Sequence, residues 1–190
     1  MNFKKIFLTP VASALLLSTL SANNCVDIQS TTVSWTSYKT MAKIGVSGTF
    51  KDLILIPSNK HSDIKSALVG TAVQIDMADI DAKANIKTSN ILKYFVPQLS
   101  SQRAHAKIVK VNEKTLDVAV TLNGVKQIIP MTYSLDGGVC QAKGTIDARD
   151  FLMEGALKNL NTHVAGHKNK GWLDIDIAFE LIYVDNCLKK

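Results

Sequence analysis

The segment Leu173-Asp174-Ile175-Asp176-Ile177-Ala178-Phe179-Glu180-Leu181-Ile182-Tyr183 has an apolar side chain at every odd position and, until Ile182, an acidic or small one at the even positions. Successive side chains on a strand point to opposite faces, so a period of two means one dry face and one wet face. This is a long, half-buried β-strand. Leu116, Val118, Val120 and Leu122 repeat the pattern opposite Asp117, Ala119 and Thr121. With less contrast it runs through Thr31 to Thr40, Lys43 to Ile56, Leu68 to Ile80, Ala104 to Val111, Lys126 to Leu135 and Val139 to Asp147. Together these make about eight strands, many of them longer than usual.

Turn chemistry separates the strands. Asn123-Gly124 between two apolar runs is a strong short hairpin signal, and Asn112-Glu113 and Asp136-Gly137-Gly138 serve similarly. The middle of the chain therefore reads as an up-and-down antiparallel meander. Two helices interrupt it. One runs from Lys87 to Phe95 and stops before Pro97. The other runs from Asp150, a plausible N-cap, to His163, with Leu152, Met153, Ala156, Leu157 and Leu160 on one face. That face should cover something, such as one end of a barrel.

Long antiparallel strands can close into a barrel or stack as a sandwich, and closure removes exposed edges. An eight-stranded barrel either fills with side chains or holds one small ligand. The inward candidates share parity within each strand: Val33 and Trp35; Val46 and Phe50; Leu116, Val118 and Val120; Ile175, Ile177, Phe179 and Leu181. Ile75, Phe95 and Ile146 join them from neighbouring elements. Periodicity leaves cavity lining and plain core filling equally open for these residues. Gly48, inside a strand, predicts a bulge or a close backbone approach.

At the N-terminus, Lys4 and Lys5 precede an apolar run from Ile6 to Leu20, and small residues Ser21 and Ala22 precede Asn23 and Asn24. This order is that of a secretory signal peptide, with cleavage expected after Ala22. The run is short for a spanning helix and contains Pro10. Residues 1–22 are thus read as signal and 23–190 as one domain. Removing the two signal lysines lowers the formal charge from +6 to about +4. The remaining basic residues are scattered, with no arginine-rich run interleaved with aromatics, which argues against nucleic acid. Attraction to an anionic membrane surface stays open.

Export permits a disulfide between two of Cys25, Cys140 and Cys187. First and last strands neighbour each other in a closed barrel, so Cys25 and Cys187 should meet at one rim, leaving Cys140 as the spare thiol. The rival is Cys140 with Cys187.

Enzyme signatures are missing from the chain. There is no G-x-S-x-G elbow, phosphate-binding glycine loop, Cys-x-x-Cys pair or HExxH pattern. His163 and His167 are spaced for one helical face, but Gly166 suggests that the helix has ended, and no third ligand is near. His61 and His105 read as ordinary polar residues. Asp174, Asp176 and Glu180 fall on the wet face of the last strand, not in a cleft. No catalytic residue, metal or cofactor is expected.

Several ordered landmarks resemble the YceI-like family of periplasmic lipid-binding proteins. They are KIGVSGTFKDL (Lys43 to Leu53), VQIDMADIDA (Val73 to Ala82), LNGVKQIIPMTY (Leu122 to Tyr133) and KGTIDARDF (Lys143 to Phe151). WTSYKTMAKIGVSGTF (Trp35 to Phe50) and the insert Phe151 to Gly171, ending GHKNKGW (Gly166 to Trp172), look like a divergent branch. The resemblance implies a lipocalin-like barrel, a periplasmic location, and a polyisoprenoid, quinone-like or fatty amide ligand in the interior. The family's Arg-Asp-x-His-Leu segment is replaced by IKTSNILKYF (Ile86 to Phe95), where Lys87 and Thr88 stand nearest to the Arg-Asp pair. The closing-strand arginine is displaced to Arg149. The tail cavity therefore carries over and the head-group contacts do not. The competing reading is a non-catalytic scaffold with a filled core; peripheral contact with the inner membrane and pairing of two barrels stay open.

Overall fold

A computed structural model describes residues 25–59 and 61–186, and the expected signal segment lies outside them. The architecture is mainly β: a curled antiparallel sheet of ten strands with three α-helices and a few 3-10 turns among the described residues. The strands are β1 (Val26–Lys39), β2 (Ile44–Phe50), β3 (Ile54–Ile56), β4 (Ala72–Asp76), β5 (Ile80–Asp81), β6 (Arg103–Val111), β7 (Thr115–Leu122), β8 (Val125–Asp136), β9 (Val139–Asp147) and β10 (Gly171–Asp185). The helices are α1 (Ile64–Leu68), α2 (Asn85–Tyr94) and α3 (Glu154–His163).

The sheet order is β3-β4-β6-β7-β8-β9-β10-β1-β2-β5. From β6 to β10 each strand pairs with the next, the expected meander, and β10 pairs with β1 along nearly its whole length. The ring is completed by two broken strands. The run Lys43 to Ile56, expected as one strand, is β2 and β3; the run Leu68 to Ile80 begins at the end of α1 and splits into β4 and β5 around the 3-10 turn Met77–Asp79. Phe50 faces Ile80, Ile54 faces Gln74, and the Lys51 N–H donates to the Asp79 carbonyl (2.8 Å) across the break. The apolar parity slips at both breaks: Asp52 follows Phe50, and Asp79 follows Met77, at positions where a continuous strand would place an apolar side chain.

β2 follows β1 only as far as Ser34–Thr49. Beyond that pair β3 leaves β1, and the barrel is parted along the first half of β1. The segment that carries α1 closes the lower end of this gap, where the Cys25 and Val26 N–H groups donate to the His61 carbonyl (3.1 and 2.9 Å). Asp63 caps α1 by accepting from the Ser66 N–H (3.0 Å).

Local chemistry accounts for the turns. Asn123 (φ 50°) and Gly124 (φ 81°) both take positive φ, as a two-residue hairpin demands. Gly48 lies against the Trp35 indole and the Asp81 carbonyl, well inside the reach of any Cβ, so close approach is its reason. The second helix starts later than expected. Asp150 belongs to the 3-10 turn Ala148–Phe151, whose cap is Asp147, accepting from the Arg149 N–H (2.8 Å). Leu152 then takes a left-handed conformation and points outward, not onto the helix's covering face.

One end of the barrel is packed solid. Val26, Leu68, Leu116 and Cys140 belong to one buried cluster and are all fully shielded from solvent. Cys25, at this end, is disulfide-bonded, while Cys140 is a free buried thiol, which removes the Cys140–Cys187 alternative. The expected partner, Cys187, lies outside the described residues.

Candidate ligand-binding cavity

Above the packed end the interior is hollow. A cavity of about 190 Å³ runs between the sheet and the helices α2 and α3. Nearly all of its wall is hydrocarbon. Its wall is built in rungs across β1, β10 and β9. Trp35 pairs with Ile177 and Ile177 with Gly144; Val33 pairs with Phe179 and Phe179 with Ala142. Small residues on β9 thus stand opposite large ones on β10, and Met131 of β8 packs over Gly144. Phe50, Ile75, Val118, Val120 and Ile146 extend the wall, Ile175 continues it toward the mouth, and Leu181 lies at the floor.

Two expected liners do not reach this space. Leu116 shares the parity of Val118 and Val120 but stands one rung nearer the packed end, where it is fully buried. Val46 lines a neighbouring recess, mostly apolar with a few polar side chains, that adjoins the cavity. In return, Leu55, Val73, Met77, Ile80, Ile108 and Met131 line the cavity without having been singled out. Ile80 sits in the Ile-Asp pair of the quoted Val73 to Ala82 stretch, and parity with Ile75 would have suggested Val73 and Met77; the pleat breaks before Ile80.

The lid comes from the helices. Met153, Leu157 and Leu160, on the apolar stripe of α3, face the cavity, and so do Ile91 of α2 and the expected Phe95 just after it. The two helices are tied together: Asn159 Nδ2 donates to the Tyr94 carbonyl (2.6 Å), and the Tyr94 and His163 rings stack at 4.7 Å. Asn123 anchors the lid to the barrel. Its Oδ1 accepts from the Ser100 N–H (2.5 Å), and its Nδ2 donates to the Phe151 and Leu152 carbonyls (3.0 and 3.2 Å).

The charged residues of β10 stay outside, where they stitch strands together. Asp176 accepts from the Tyr38 and Thr145 hydroxyls, which hold its carboxyl below the usual range. Asp174 pairs with Lys43 (2.5 Å), and Glu180 accepts from Gln141 (3.0 Å). His163 and His167 are separated in role, since His163 stacks on Tyr94 while His167 Nδ1 meets Asn161 Oδ1 at 2.7 Å. Among the described residues no cluster of metal-ligating side chains forms. Of the pair nearest the family's Arg-Asp, Lys87 lines the adjoining recess, whereas the Thr88 hydroxyl accepts from the Ala82 N–H (3.0 Å) and serves the start of α2.

Comparison with known proteins agrees with this architecture. A search of the curated proteins finds no match. Among solved structures, the fold is similar to a polyisoprenoid binding domain from Saccharophagus degradans implicated in plant cell wall breakdown (TM-score 0.61, 14% identity, 85% of this chain and 97% of that one). It is also similar to Burkholderia cenocepacia BcnA (0.55, 15% identity, 83% and 99%) and to the Campylobacter jejuni YceI protein (0.53, 14% identity, 78% and 89%). The model of the YceI-like domain matches residues 25–180, and the chain belongs to the YceI-like family.

Proposed function

We propose that this protein is a periplasmic carrier that holds one long apolar or amphiphilic molecule, a polyisoprenoid, quinone-like or fatty amide chain, inside its barrel. The observation that carries this reading is the hollow interior with an almost wholly hydrocarbon wall. Such a space holds a tail by removing apolar surface from water, and it offers nothing to a charged substrate. The filled-core scaffold describes only the packed end. Support also comes from the Saccharophagus relative, described as polyisoprenoid binding. Export by residues 1–22 belongs to the same reading, because a periplasmic carrier must leave the cytoplasm.

Burial of a tail contributes about 0.8 kcal/mol per methylene, roughly fourfold in affinity for each one added. The test is extraction of protein purified from its native periplasm, with mass spectrometry of the extract. A long-chain amphiphile in near-equal amount to protein is the expected result. A protein that comes out empty, and takes up no alcohol, amide or isoprenoid of any length in vitro, would defeat the proposal.

A further inference from the structure

The recess adjoining the cavity carries a charge pattern that an apolar tail does not need. It shares Trp35, Ile91, Leu157 and Leu160 with the main cavity, so a guest seated below continues into it. Its polar liners come from separate elements: Lys39 from the end of β1, Lys87 and Asn90 from α2, and Asn161 and His167 from α3 and the turn after it. No carboxylate lines it. The nearby acids are engaged elsewhere, Asp174 with Lys43 and Asp147 with Arg149, while Lys39 and Lys87 form no ion pair among the described residues.

The Lys39 ammonium is held close by, 3.8 Å from where a Cβ on Gly166 would stand, one residue before His167. His167 is half-buried, and burial first and Lys39 second hold its imidazole below the usual range. With Asn161 Oδ1 accepting from Nδ1–H, the uncharged ring keeps only an acceptor at Nε2, so it gives an anion no hydrogen bond and the lysines alone can meet one. Two ammonium groups that form no ion pair among the described residues thus line one recess that adjoins the dry tunnel. A carboxylate or phosphate could not descend into that tunnel, because burying an unpaired charge is too costly, and would stop where donors meet it.

We propose that the ligand's polar end is an anion, a carboxylate or a phosphate, seated in this recess between Lys39 and Lys87. This rests on the carrier reading and specifies the class of its ligand. The test titrates lipid-stripped protein, at low ionic strength, with palmitate, hexadecyl phosphate, hexadecanol and palmitamide, following Trp35 fluorescence and heat. The two anions should bind roughly tenfold tighter than the neutral pair, the scale of one charge-assisted hydrogen bond. That preference should vanish in the Lys39→Met/Lys87→Met double variant, which still takes up hexadecanol. Equal affinity for all four, or a preference that survives the double substitution, overturns the anionic head group and leaves the carrier standing. Competition by inorganic phosphate alone would mean a free-anion site and overturns it also. Failure of all four to bind defeats both proposals together.

Discussion

Between Leu173 and Phe179 the inward side chains of β10 are only half-buried, whereas Leu181, on the same face of the same strand, is 3 % exposed. β1 shows the same change: Val26 and Ile28 are buried, and Val33 and Trp35 are not. On β10 alternation is equally regular in both halves, and on β1 it resumes after an irregularity between Ile28 and Ser30, so it tells which face is dry and not whether the space behind it is filled. What differs is the closure of each end. At the lower end Leu68 of α1 drives into the strands and completes a solid cluster. At the upper end α2 and α3 span the opening, tied to each other and to Asn123, and leave a hollow beneath them. A protein of this size can keep such a hollow because its packed end supplies a conventional core.

The comparison is tested hardest at the packed end. Leu116→Ala should destabilise by about 2–5 kcal/mol, since a fully buried leucine leaves a void that its neighbours cannot fill. Chemical denaturation measures it. Val120→Ala, in the hollow half, should cost visibly less, because it widens an existing space; equal losses would mean that the two halves are packed alike. The disulfide belongs to the same end. Non-reducing peptide mapping should link Cys25 to Cys187, and reduction should cost about 2–5 kcal/mol. A Cys140-containing linked peptide would contradict the structure, in which that thiol is free, with burial pushing it up to about 11.

A smaller loss is expected at the lid anchor. Asn123→Ala leaves the Phe151 and Leu152 carbonyls and the Ser100 N–H without their partner. About 1–3 kcal/mol should be lost, and the lid should loosen. Hydrogen exchange of α3 should rise faster than that of β7 and β8; uniform acceleration would assign Asn123 to the turn alone.

The fold class was legible because a period of two runs through β7 and β10 and, with local shifts, through β1 and β6, and because Asn123-Gly124 favours a tight hairpin. The strand count was not. Lys51 to Leu53 and Met77 to Asp79 leave the sheet where Asp52 and Asp79 fall on the apolar parity, a local mark that is weak because apolar residues resume at once on the other parity. Most of the cavity wall followed from parity, but parity cannot tell a liner from a core residue, as Leu116 shows. Leu152 fits helical spacing and still turns outward, because the chain passes through a left-handed residue before α3 begins. Asn123 was read as a turn residue; its side-chain bonds to distant backbone have no sequence signature. The adjoining recess was missed for a similar reason, since its polar side chains come together only when α2, α3 and β1 meet.

The smallest expected change in stability is also the sharpest test of the hollow half. Ile177 sits between Trp35 and Gly144 on neighbouring strands, with its side chain facing the cavity. Overfilling a solid core forces side chains off their preferred rotamers and costs ~1–3 kcal/mol or more. In a hollow the added volume meets empty space, on the side of Ile177 that faces the cavity. Ile177→Trp should therefore shift stability by less than ~1 kcal/mol, while Leu116→Trp, at the packed end, should incur the full overpacking penalty. The two variants should differ again in function. Ile177→Trp blocks the tail's path and should abolish uptake of a long-chain alcohol in a folded protein. Should Ile177→Trp destabilise the barrel by ~1–3 kcal/mol and yet bind the alcohol normally, the space behind β10 is a core and the ligand sits elsewhere.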